Sequence, residues 1–294
     1  MTPGLTTGVW IDDLCAFDAE YLSQRFRPWQ QGISKRTTAV ALHGAAPETR
    51  SYLAERANRE VRELLTTPLC PPAAPGETLA AQTQLVATYF WEMAYHARPD
   101  VYELLVKLQD VALEALFPAN EIDGRTVADI GTGGGRAVPY LARHAAKLWG
   151  IDPCGPLLDL ARRKIPAEAA RDCEFVQGAF DDIPLPDQSV DVVTSTLAFQ
   201  LSEERGGKRG LAEVERVLRP GGHAILVVGH AATADFLRRE GLTERLPRAV
   251  LRWRRPPESS PVLLRRLVEL GGAKFPDGAC EATTPLWSFE LRRD

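Results

Sequence analysis

No stretch of the chain approaches 18 uncharged apolar residues, and that absence excludes a helix able to cross the hydrocarbon of a bilayer. The first ten residues hold no positive charge followed by an apolar core, so a secretory leader is not expected. Cysteine is scarce. Cys15, Cys70, Cys154, Cys173 and Cys280 are odd in number and show no C-x-x-C spacing, which excludes a disulfide framework and gives no metal site. They read as reduced thiols, with a cytoplasmic location as the expectation. Neither sign of charge dominates: 35 basic residues face 39 acidic ones, for a formal net charge of −4. Such a balance offers no global attraction to nucleic acid or to an anionic membrane, so neither is an expected partner unless a local patch holds it. Aromatics amount to 7%, within a composition of 45% hydrophobic and 25% charged residues that places the chain among globular proteins. At 294 residues it can form one large domain or two modest ones.

Two textures divide the chain. Residues 1–118 are helical in pattern: Leu53, Ala57, Val61 and Leu64 recur at three- and four-residue spacing, giving one apolar stripe. The run Pro68 to Gly76 breaks this block, because proline lacks the amide donor and collides with the preceding turn. A second helical stretch covers Thr78 to Phe117, interrupted at Arg98-Pro99-Asp100. Residues 1–118 are therefore expected to form a helical cap. From 119 to 294 short apolar runs alternate with amphipathic helices. Strands are predicted at Thr126–Ile130, Lys147–Ile151, Glu174–Gln177, Val190–Ser195 and His223–Val228, with helices near 136–145, 156–164 and 210–217. That alternation predicts an α/β fold, a mostly parallel sheet covered by helices on both faces, with ligands at the carboxyl ends of its strands. An arginine-rich insertion is expected at 230–261, followed by a helix at 261–270 and strands at 281–284 and 287–292.

The central motif is Val127-Ala128-Asp129-Ile130-Gly131-Thr132-Gly133-Gly134-Gly135-Arg136, an apolar strand running into a glycine turn that opens a helix. Glycine lets the chain turn tightly and lets a ligand approach the backbone. A dinucleotide fingerprint would place its third glycine at position 136, where Arg136 stands. Asp129 instead puts a carboxylate at the strand end, suited to a cofactor bearing an ammonium group. Asp152 ends the next strand, seventeen residues after Gly135. An acid there can accept two hydrogen bonds from a ribose diol, or can simply cap a helix.

In these motifs the sequence resembles the class I S-adenosylmethionine-dependent methyltransferases of the small-molecule type. The resemblance extends through Gln177-Gly178-Ala179-Phe180-Asp181 and through Leu218-Arg219-Pro220-Gly221-Gly222, where a tight turn is expected before the fifth strand; it covers about 125–228. It implies a Rossmann-like seven-stranded sheet, S-adenosylmethionine as cofactor and S-adenosylhomocysteine as product. The cofactor residues it implies are Asp129, Gly131, Thr132, Gly133, Gly135, Asp152, Pro153, Ala179, Phe180, Asp181 and Ser195. Ala179 departs from the family's usual aspartate, so the acceptor for the adenine amine is either Asp181 or missing, while the Phe180 amide can still meet the ring.

Methyl transfer from a sulfonium needs an in-line nucleophile and exclusion of water, so a catalytic base is optional. His230, just past the fifth strand, is the candidate base, since imidazole titrates near neutrality. Tyr89, Tyr95 and His96 from the cap, with Phe199 and Gln200 after the fourth strand, are the substrate-binding candidates; an aromatic cluster at helical spacing is equally the material of a core. The arginines of the insertion form either a solvated face or a clamp for an acidic acceptor group. The expected activity is transfer to an oxygen, nitrogen or carbon atom of a small molecule, in secondary metabolism, by a cytoplasmic protein for which a homodimer is admitted. The rivals are a nucleic-acid methyltransferase, a protein using S-adenosylmethionine without methyl transfer, and a nicotinamide oxidoreductase.

Overall fold

The β-branched runs of the second half fold as the strands they predict. The structure, a computed structural model, describes residues 8–198 and 207–293. Ten strands are described: β1 (Gln109–Asp110), β2 (Thr126–Ile130), β3 (Lys147–Asp152), β4 (Cys173–Gln177), β5 (Val190–Thr196), β6 (Leu218–Val228), β7 (Thr243–Arg245), β8 (Val250–Arg254), β9 (Glu281–Pro285) and β10 (Trp287–Arg292). Seven of them form one sheet in the order β4-β3-β2-β5-β6-β10-β7, parallel from β4 to β6, with β10 antiparallel to both of its neighbours. Four of the five residues of β2 are buried, and β6 is buried without alternation from Gly222 onward except at its first turn residues, as expected of strands covered on both faces. Ala128, Ile130, Ile151, Val193, Leu226 and Phe289 share one core with Val214 and Val217 of the helix Gly207–Val217. The order of strands reverses between β2 and β5, because the chain runs outward through β3 and β4 before returning to the other side. A crevice at such a switch point is where ligands of parallel sheets bind.

By internal contacts the chain falls into two compact units: one runs to Tyr102 and includes Pro261–Arg266, the other comprises Glu103–Ser260 and Leu267–Asp294. The sequence reading set the division after residue 118. Residues 103–118 belong instead with the sheet unit because β1 pairs with β8, Gln109 opposite Trp253 and Asp110 opposite Arg252. The first unit is helical. Its stripe through Leu53, Ala57 and Val61 is buried, but on two helices, Pro47–Arg56 and Arg59–Thr66. Asn58 makes the break: its side chain caps the second helix by accepting from Val61 N at 3.1 Å and donates to the Phe26 carbonyl at 2.9 Å.

The stretch 230–261 is less of an insertion than its arginines suggest. It holds the helix Ala231–Arg239, the sheet's edge strand β7, and β8. The strands β8 and β9 alternate exposed and buried residues, so their small sheet with β1 has one polar face, which is what a period of two in Val250, Arg252 and Arg254 encodes. The Pro-Gly-Gly turn is likewise absorbed into β6. Leu218 pairs with Val190, and pairing resumes at His223 opposite Val192, the intervening residues bulging outward around Gly221 at φ +77°. Backbone bonds with Arg293 close that bulge: Gly221 N donates to its carbonyl at 2.9 Å, and its amide donates to Gly222 O at 3.0 Å.

Candidate active site

Beyond Ile130 the chain turns immediately, Gly131 taking φ +73°, Gly133 +53° and Gly135 +79°. A Cβ on Gly131 would lie 2.0 Å from the Ala198 Cβ, so its absence lets the segment leaving β5 lie against the turn. Gly135 serves another purpose. A Cβ there would come within 2.7 Å of Ala161 Cα, on the helix Gly155–Arg162. The close-packing role that a dinucleotide fingerprint gives to its third glycine is thus held one residue before Arg136, whose guanidinium bonds outward to the Gln109 side chain.

The turn is stitched to the tip of β3. Gly131 N and Thr132 N both donate to Ile151 O, at 2.7 and 3.0 Å, and Gly133 N donates to Asp152 Oδ2 at 2.9 Å. Cys154 N donates to the other carboxylate oxygen at 2.9 Å. Asp152 is 7% exposed, so these two bonds fix the rotamer of a carboxyl group whose oxygens can each accept a second donor. Pro153 adds its carbonyl, which accepts from Gln177 Nε2 at 3.0 Å and so joins the tips of β3 and β4.

Asp129 sits deeper, at 3% exposure, where its Oδ1 accepts from the Thr194 hydroxyl at 2.9 Å. Burial pushes its pKa up to about 6, and hydrogen bonds from Thr132 and Thr194 only partly oppose that rise. No basic side chain among the described residues pairs with it. A buried acid left without a cation beside a glycine turn fits a ligand that brings its own ammonium, as the methionine end of S-adenosylmethionine would. The pH dependence follows. Below pH 6 Asp129 holds a proton that an ammonium ligand must expel, so affinity should fall by up to about tenfold per pH unit there and stay level above it. Calorimetry with S-adenosylhomocysteine at pH 5 in two buffers of different ionisation enthalpy should register about one released proton, and at pH 7 close to none. A flat profile would remove Asp129 from the ammonium site.

The loop after β4 is a tight structure of its own. Ala179 and Asp182 exchange backbone hydrogen bonds of 3.3 and 3.1 Å, leaving Phe180 and Asp181 as the tip. Gly178 N donates to Asp152 O at 3.2 Å, which ties the start of this loop to the end of β3. Ser195 is turned inward. It is fully buried and its hydroxyl donates to Ile130 O at 2.8 Å, tying β5 to the end of β2. Leu197, directly after β5, has φ +63°, a left-handed conformation seldom adopted by a branched residue, and its amide donates to Val227 O at 2.8 Å.

His230 follows β6 by two residues and is half-buried; burial lowers its pKa, which keeps the ring neutral and able to accept a proton at pH 7. His223 lies at the far end of β6 beside Glu121, at 3.3 Å. In the helical unit, Tyr89 and His96 are buried within its aromatic core: His96 stands edge-on to Phe17 and Tyr21, both 4.9 Å away between centroids, and Tyr95 packs against Trp91 and Tyr102. Phe199 and Gln200 lie outside the described residues. Four of the arginines have partners within the protein. Arg238 and Arg248 share Glu244, Arg245 forks onto Glu121 at 2.6 and 3.0 Å, and Arg255 donates to two backbone carbonyls.

Three features escaped the sequence reading: the packing role of Gly135, the strained Leu197, and a Glu213–Arg216 pair that grips the loop after β4. Only the last left a trace in the sequence, an acid and a base three residues apart on one helix.

The sequence family described as "Methyltransferase domain" matches residues 128–226, which run from within β2 to within β6 and include both acids. The cypemycin N-terminal methyltransferase of a Streptomyces species is 35% identical over 141 residues, covering 44% of this chain and 56% of that protein. An uncharacterized methyltransferase of Synechocystis is 30% identical over 153 residues, covering 49% of this chain and 69% of its own length. The chain spans about half the length of the first of these curated relatives. Among solved structures, an S-adenosylmethionine-dependent methyltransferase from Mesorhizobium loti superposes on 62% of this chain and 95% of its own, with a TM-score of 0.41 at 19% identity.

Proposed function

We propose the following activity for this chain, which belongs to the class I S-adenosylmethionine-dependent methyltransferase family: transfer of a methyl group to an oxygen, nitrogen or carbon atom of a small-molecule acceptor, in secondary metabolism. One observation carries the reading. Two acids of different character flank a single glycine turn, Asp152 held by the amides of Gly133 and Cys154, Asp129 buried and with no cation paired to it among the described residues. S-adenosylmethionine would supply an electrophilic sulfonium methyl to a nucleophile on the acceptor. The protein's part is placement. Asp152 would accept the ribose hydroxyls, Asp129 would face the ammonium, the backbone of Gly131 to Gly135 and the side chain of Thr132 would line the methionine limb, and Phe180 and Asp181 would meet the adenine. Ser195 holds the ends of β2 and β5 together beneath it. His230, neutral at pH 7, takes the proton of an acceptor that must lose one. Orientation and exclusion of water supply most of the acceleration.

The relative named as a cypemycin N-terminal methyltransferase supports nitrogen among these acceptor atoms. The internal pairing of Arg238, Arg245 and Arg248 speaks against a phosphate-binding face. The test is calorimetric titration of the purified chain with S-adenosylhomocysteine, followed by incubation with labelled cofactor and panels of metabolites, peptides and RNA. The wild type should bind one equivalent and label a small molecule. Asp152→Ala removes two charge-assisted acceptor positions, so its Kd should rise at least about 100-fold with the circular dichroism spectrum retained. Absence of binding to folded wild-type protein would end the reading, and labelling of RNA or protein alone would overturn the acceptor class.

A further inference from the structure

The helix Gly207–Val217 ends in a side-chain pair that no part of the proposed chemistry uses. Arg216 Nη2 donates to Ile183 O and its Nη1 to Leu185 O, each at 2.8 Å. The same Nη1 donates to Asp187 Oδ1 at 2.8 Å. Glu213 receives Nε and Nη2 of Arg216 on its two oxygens, both at 2.8 Å, and accepts from Ile183 N at 2.9 Å. Ile183 therefore has its amide and its carbonyl taken by one ion pair. It is also the residue after Asp182, which closes the bridge that presents Phe180 and Asp181.

Helix and loop are thus joined by a fork of directed bonds. The loop's first limb is fastened at Gly178, whose missing Cβ would fall 2.4 Å from Pro184 Cδ and 2.9 Å from Ile151 Cγ2. Its second limb is fastened by Arg216, with Ile183 and Leu185 buried beneath. The pair is only partly exposed, Arg216 at 30% and Glu213 at 20% of their side-chain surfaces, and the guanidinium bond holds the Glu213 carboxyl below the usual range. A planar fork with five donors fixes direction as well as distance, which a point charge such as lysine does not.

We propose that Arg216 and Glu213 are positioning residues for recognition of the cofactor's base: they set the height and angle of the Phe180–Asp181 tip, and through it the discrimination between adenine and a base lacking the exocyclic amine. The proposal rests on the cofactor reading above. Neither side chain touches the cofactor in this account. Their effect is on the rigidity of the loop that does, so it reads out in which base is preferred and less in how stable the fold is.

The test compares binding of S-adenosylhomocysteine with that of S-inosylhomocysteine, which carries a carbonyl where adenine carries its amine. The wild type should prefer the adenine compound. In Arg216→Lys, which keeps the charge and loses the fork, affinity for the adenine compound should drop about tenfold and the preference should shrink toward unity. Glu213→Gln, which keeps a carbonyl acceptor for Ile183 N, should show a smaller change of the same sign and covers the case in which the lysine variant does not fold. Arg219→Ala removes the Arg219–Asp191 ion pair at the start of β6, away from the loop, and should keep the wild-type preference. A fall in Tm with an unaltered preference, or no change in either, would overturn the proposal. If the wild type binds neither compound, the cofactor reading itself has failed.

Discussion

Replacing Asp129 with asparagine is expected to make the ligand-free protein more stable at pH 8 while abolishing cofactor binding. The reason is the cost of the native charge. The folded-state pKa of about 6 exceeds the ordinary 3.8, so the folded chain binds more protons than the unfolded chain between these values. Stability contributed by that proton is complete below pH 3.8 and is lost as pH rises through 6, leaving a neutral-pH penalty of about 3 kcal/mol that an uncharged amide does not incur. Asparagine keeps the oxygen that accepts from Thr194, and the Thr132 hydroxyl can turn to accept from its amide nitrogen. Chemical denaturation at a series of pH values checks this. The variant should gain at pH 8, the gain should vanish near pH 4, and S-adenosylhomocysteine should raise the Tm of the wild type alone. A variant less stable at every pH would show that the carboxylate is structural and not held ready for a cation.

Substituting Gly131 with alanine should have the opposite effect on the fold. The residue needs φ +73°, and its Cβ would fall 2.0 Å from that of Ala198. Left-handed backbone costs about 1 kcal/mol for alanine, and the collision forces a displacement worth about 2 more, so a loss of roughly 3 kcal/mol and a Tm lowered by roughly 10 °C are expected. Binding should be lost with it, since the same displacement opens the turn. Adding Ala198→Gly removes the collision but not the strain, and should return about two-thirds of the lost stability. No recovery in the double variant would mean that the two tips do not meet as described.

Much of this site could be read from the residues. Asp129 and Asp152 announce themselves as acids ending apolar runs, with five strands predicted to within a few residues, because a buried parallel strand needs a continuous apolar run whatever surrounds it. Other parts were illegible for equally definite reasons. Ser195 looks like a ligand residue in sequence, yet its hydroxyl is spent on Ile130, a residue 65 positions away. His96 reads as a polar handle until its neighbours Phe17 and Tyr21 come from another helical segment. The arginines between Arg238 and Arg255 look like a basic patch because Glu121, which neutralises Arg245, lies 124 residues earlier.

Local pattern was enough to establish the sheet, the glycine turn and the two acids, since turn chemistry and periodic burial depend on residues adjacent along the chain. The division of labour among them arose from contacts between distant segments. Gly131 makes room for Ala198, Gly135 for Ala161, and Arg216 reaches across to the loop after β4, because a side chain's role is set by what the fold brings against it.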